Sequence, residues 1–167
     1  MIRFLPAMVS LTAAAALWSL PGCVSDEPQR KPMAAPPANV KATKLGVWAT
    51  LPEDSDSNGY LDTVDLTVYV SSDTYAAPIA IPGSFEFHLV GKGGKDLAKW
   101  EIPEKTAVAA LRRMPAGPAY VFRLNILDVG KDEFEAQAVD LSAEFIPNSG
   151  PPVRAPMTGL RFGKIRV

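Results

Sequence analysis

The stretch A-Y-V-F-R-L-N-I-L, Ala119 to Leu127, alternates large apolar residues with a mixed set. In an extended chain Tyr120, Phe122, Leu124 and Ile126 fall on one side, and Val121, Arg123 and Asn125 on the other. Successive strand side chains point to opposite faces, so this is the pattern of a strand with one buried and one wet face. The same rhythm recurs on both sides of it. Leu66, Val68 and Val70 alternate with Thr67 and Tyr69; Phe85, Phe87 and Leu89 alternate with Glu86 and His88. Val139, Leu141, Ala143 and Phe145 repeat it near the end of the chain. Aromatic and β-branched residues dominate these segments, as they do in half-buried strands.

Further strands are expected near Leu45–Leu51, Leu97–Ile102 and Gly159–Val167, which makes seven or more. Gly91, Gly93-Gly94, Pro103, Pro115 to Pro118, Gly130 and Asn148 to Pro152 mark the turns between them. Lys105 to Met114 has helical tendency, with Val108, Leu111 and Arg112 able to share a face. A strand or an irregular crossover is the other reading of that segment. Short strands without a strand–helix–strand rhythm predict an all-β domain, an antiparallel β-sandwich of the immunoglobulin-like or transthyretin-like variety. With one cysteine in the chain, Cys23, the sandwich has no internal disulfide and is held by packing. A domain of about 125 residues buries roughly two thirds of its unfolded surface, enough without a staple.

The chain has 167 residues, with 17 Lys plus Arg against 18 Asp plus Glu. A near-neutral balance without a basic stripe argues against nucleic acid as a partner. At the N-terminus Arg3 precedes a mostly apolar, uncharged run, Phe4 to Leu20, with Pro6 and Pro21 near its ends. That is the pattern of a secretory signal over residues 1–22. A retained transmembrane anchor is the alternative, since about 17 apolar residues just span a bilayer.

Leu20-Pro21-Gly22-Cys23 closes the run and resembles the lipobox of bacterial lipoproteins, with Pro21 a mild departure at the second position. The resemblance implies cleavage before Cys23, a diacylglycerol on its thiol and an acyl chain on its new amine. Several acyl chains anchor stably, because each buried CH₂ contributes about 0.8 kcal/mol. The partner at this end is then the lipid bilayer. Residues 23–43 carry four prolines, mixed charge and no periodicity, which predicts a flexible tether. The sandwich is expected over residues 44–167. Val24, not an aspartate, follows Cys23; by analogy with lipoprotein sorting in Gram-negative bacteria, this favours the outer membrane over the inner.

Between the first two strands lies D-S-D-S-N-G-Y-L-D-T-V-D, Asp54 to Asp65. Calcium takes six to eight hard oxygens, and alternate side chains on a tightly curled loop converge on one point. The stretch resembles the calcium loops of EF-hands and dockerins. The resemblance implies Asp54, Asp56 and Asn58 as ligands, Gly59 at the sharp turn, the carbonyl of Tyr60, then Asp62 and Asp65. The flanks depart from those families: Pro52 precedes the loop and Val64, Val68 and Val70 follow it as a strand. A shorter calcium loop between strands is therefore expected, closed by Asp62, with Asp65 displaced or acting through water. A solvated Asn58-Gly59 turn is the plainer reading.

Catalytic signals are sparse. His88 is the only histidine and falls on the outer side of its strand. No nucleophile elbow, zinc-binding helix motif or phosphate loop is present, and Gly91 to Lys95 reads as a hairpin turn. Glu101 with Glu104, and Asp132 with Glu133 and Glu135, read as solvated acids. Trp48 and Trp100 are expected in the core; alternatively they join Tyr60, Tyr69 and Tyr75 in a sugar or peptide platform. Arg112-Arg113 is a slight signal for an acidic partner. The function these features favour is a non-catalytic, membrane-tethered sandwich that binds an envelope protein or polysaccharide, with calcium stiffening one loop. The alternative is a small secreted hydrolase or inhibitor-like module.

Overall fold

A computed structural model describes residues 39–165. Cys23 and the segment around it, with the expected signal and most of the expected tether, lie outside the described residues. Strand accounts for 57% and helix for 10%, so the domain is all-β. The described residues form eleven strands in two antiparallel sheets. The first has the order β1 (Lys44–Ala49), β3 (Thr63–Ser72), β8 (Gly117–Asn125), β7 (Leu111–Met114), with β4 (Tyr75–Ile79) also paired to β3. The second runs β2 (Tyr60–Leu61), β11 (Thr158–Lys164), β9 (Gln137–Pro147), β5 (Gly83–Val90), β6 (Asp96–Ile102), with β10 (Val153–Arg154) beside β9.

The alternation read from the sequence sets the inner faces. Leu66, Val68, Val70, Tyr120, Phe122 and Leu124 are buried from the first sheet, and Phe85, Phe87, Leu89, Leu141, Ala143 and Phe145 from the second. Phe85 joins the two. Its ring lies 4.8 Å from Tyr120, 5.2 Å from Phe122 and 4.8 Å from Phe145, in tilted and edge-on arrangements that suit the ring quadrupoles. Polar ends of the aromatic residues are satisfied across the core. The Tyr120 hydroxyl donates to the Ile81 carbonyl at 2.9 Å, and Trp100 Nε1 donates to the Asn125 carbonyl at 3.0 Å.

Trp48 departs from the expectation. Trp100 is 5% exposed in the core, but Trp48 is 61% exposed on the outer face of the first sheet. Leu45 fills the inner face of β1, and period two sends Gly46 and Trp48 outward. The tether boundary also shifts. Ala42 is buried in the core, and the Thr43 N–H donates to the Ser71 carbonyl at 2.9 Å, so residues 42–43 belong to the sandwich.

The segment after β6 contains both a helix and a strand, α1 (Glu104–Ala110) and then β7. Ala107 is its buried residue, while Val108 is exposed, so the expected Val108–Leu111–Arg112 face is not the packed one. Gly91 to Lys95 forms the tight 3₁₀ hairpin turn between β5 and β6. Among the described residues no helix is long and apolar enough to cross a membrane.

Phe85→Ala removes the ring common to both sheets and lowers stability by about 3–5 kcal/mol, measured by denaturant unfolding. Burial pushes the Tyr120 phenol above its ordinary value. An acid with a raised folded pKa stabilises the fold below its unfolded pKa and loses that contribution as pH rises. Stability therefore falls as pH climbs past about 10, the unfolded value. Tyr120→Phe flattens this alkaline decline in pH-dependent melting.

Candidate metal centre

Residues 50–59 connect β1 to β2, and backbone pairing closes the base of this connection. The Glu53 N–H donates to the Thr63 carbonyl at 2.9 Å, and the Asp62 and Thr63 N–H groups donate to the Glu53 carbonyl at 2.9 and 3.1 Å. Above that base the short polar side chains curl the loop. Asp54 accepts from the N–H of Asn58 at 3.1 Å and of Gly59 at 2.8 Å; Asp56 accepts from the Asn58 N–H at 3.1 Å. The Asn58 side-chain oxygen accepts from the Tyr60 N–H at 2.9 Å. Aspartate and asparagine are suited to such local turns. Gly59 takes φ +90°, a conformation that opens the turn at little cost only without a Cβ.

One carboxylate oxygen from each of Asp54, Asp56 and Asp62 lies within 4.8 Å of the others. Two ligands on one calcium, each about 2.3–2.6 Å from it, are at most roughly 5 Å apart. The spacing of the three carboxylates thus suits a single ion. Without a cation they repel. Asp62 is fully buried and accepts from the Ser55 N–H at 3.2 Å and from its hydroxyl at 3.1 Å, which sets the orientation of this carboxylate.

Asp65 is elsewhere. It lies opposite Arg123 in the β3–β8 register, and the guanidinium sits 3.5 Å from its carboxylate while also pairing with Glu53. Asp65 thus stands apart from the cluster of Asp54, Asp56 and Asp62. Asn58 serves here as a bridge: its Nδ2 donates to Asp56 at 3.2 Å and to Asp132 at 2.8 Å. Tyr60 opens β2 opposite Lys164.

Asp132 was expected among solvated acids, yet it is only 3% exposed. Its one sequence signal is weak, an aspartate two residues after Gly130 in a Gly- and acid-rich turn. Only the topology brings it to Asn58. The same end of the sandwich is fastened by three further bonds: the Ile126 N–H to the Asp62 carbonyl at 2.9 Å, Asn125 Nδ2 to the Ser55 hydroxyl at 3.1 Å, and the Ile165 N–H to the Gly59 carbonyl at 2.8 Å. The loop is held from three sides by the fold itself.

The other candidate residues do not gather. His88 faces Glu86 at 3.5 Å on the outer side of the second sheet, where Lys99 lies 3.3 Å from Glu86 and holds its carboxyl below the usual range. Glu101 pairs with Lys99 at 2.6 Å, and Glu104 accepts from Asn148 at 3.0 Å. Arg112 donates to the carbonyls of Ala109 and Leu111 at the end of α1. Neither a protein-family model nor a curated protein matches the chain.

The geometry separates Asp62, inside the cluster, from Asp65, outside it. For an ion held by this cluster, Asp62→Asn, at constant volume, is expected to weaken calcium affinity by at least tenfold in calorimetric titration. Asp65→Asn leaves it within about twofold.

Proposed function

We propose that the protein is a membrane-anchored extracytoplasmic lipoprotein whose sandwich is a non-catalytic binding and structural module of the cell envelope, with calcium bound by Asp54, Asp56 and Asp62. The observation that carries this reading is the outer face of the first sheet. There Trp48 is exposed with Tyr69 packed edge-on at 5.2 Å, while Glu86, Glu101 and Glu104 are dispersed among separate polar partners. An exposed aromatic group on a rigid sheet is a common feature of binding surfaces. The anchor rests on the sequence, with Cys23 closing the apolar run and lipidated there, the outer membrane favoured. Calcium has a structural role, tying the loop between β1 and β2 to the end of the sandwich.

Two experiments test this. In a Gram-negative host, the full chain incorporates labelled palmitate and sediments with membranes, and Cys23→Ala abolishes the label and releases the protein. An unlabelled, soluble wild type contradicts the anchor. Calcium raises the unfolding midpoint of the purified chain, and Asp54→Ala with Asp56→Ala removes the rise. Stabilisation grows by about 1.4 kcal/mol for each tenfold excess over Kd.

A further inference from the structure

We infer that the outer face of the first sheet binds a neutral polysaccharide, stacking a pyranose ring on the indole of Trp48. The inference deepens the binding-module reading above by naming the class of partner. It begins with Gly46. Gly46 and Trp48 are neighbours on the outer side of β1, and Gly46 lies opposite Tyr69 in β3. A Cβ on Gly46 would come within 2.8 Å of the Trp48 ring. The missing side chain is therefore the space the indole occupies, and the ring lies over the backbone at that position. Tyr69 meets it at 85° between planes, bracing its edge. The indole is held by both neighbours yet stays 61% exposed. A large aromatic side chain fixed against a sheet but open to solvent is organised in advance for a flat ligand.

The groove beside it sets the ligand's chemistry. It measures about 460 Å³, within the range of roughly 300–1,000 Å³ common for ligand sites. Trp48, Tyr69, Pro78 and Met114 supply apolar surface, and none of the lining side chains carries a charge. The lining residues offer an anionic polymer or a nucleic acid no cation, and Lys44, opposite Ser71 on the same face, is already paired with Asp73 at 2.5 Å. Thr67, Tyr69 and Ser71, alternate residues of β3, bring three hydroxyls to the same face. Hydroxyls both donate and accept. They match a partner that does the same at intervals along its length, as a sugar chain does; an unbroken polyproline segment offers carbonyl acceptors alone. The negative face of the indole attracts the polarised axial C–H groups of a sugar ring. That favours β-linked pyranoses with equatorial hydroxyls, whose ring faces are unobstructed.

The test is calorimetric titration of cellohexaose into the purified full chain, in a detergent without a sugar headgroup. The expected result is saturable binding that Trp48→Ala weakens at least tenfold and that Thr67→Val with Ser71→Ala weakens about threefold or more, with both variants melting within a few degrees of wild type. Binding unchanged by these variants overturns the inference, as does the absence of binding to cellohexaose. Binding of a proline decamer in place of the sugar assigns the face to peptides and overturns it equally. Palmitate labelling is read separately, so a failed sugar titration leaves the anchored-lipoprotein reading standing.

Discussion

The contact of Phe85 with Tyr120 and Phe122 is the constraint on which the rest of the domain depends. Each sheet alone has an apolar face that water would meet, and no disulfide draws the two together. One ring from the second sheet set among two from the first gives them a shared interior. Trp100 and Tyr120 extend the join outward, each burying a large ring and satisfying its polar atom on a backbone carbonyl. The result is a scaffold rigid enough for loops and outer faces to hold defined shapes.

Both candidate sites draw on that rigidity. At one end, the β1–β2 loop is tied to residues 125–126, to Asp132 and to the end of β11, so Asp54, Asp56 and Asp62 converge although their charges oppose it. On the outer face of the first sheet, the register of β1 and β3 sets Gly46 opposite Tyr69 and gives Trp48 its resting place. In each case a local sequence feature acquires its geometry from a strand distant in the chain.

The inner faces were legible because period-two alternation is a local signal. Phe85, Phe87, Leu124 and Phe145 declare their side of the sheet within a few residues. Short edge elements escaped, since β2 and β10 are two residues each and the Ala- and Pro-containing β4 carries little strand propensity. Trp48 was misplaced because its size argued for burial, although the phase of Leu45 and Val47 put it outside. The curl of the acidic loop could be read from Asp54 to Gly59. Its end at Asp62 could be read as well, but the partners that hold it could not, because the pairing of Asp65 with Arg123 and of Asn58 with Asp132 joins residues 58 and 74 positions apart.

The proposal that the acidic loop takes one calcium ion, closed by Asp62, stands or falls on a crystal structure of the protein grown in millimolar calcium. The expected result is a single ion about 2.3–2.6 Å from oxygens of Asp54, Asp56 and Asp62, with Asp65 still paired to Arg123. A loop without an ion, or an ion ligated by Asp65 after its release from Arg123, would contradict it.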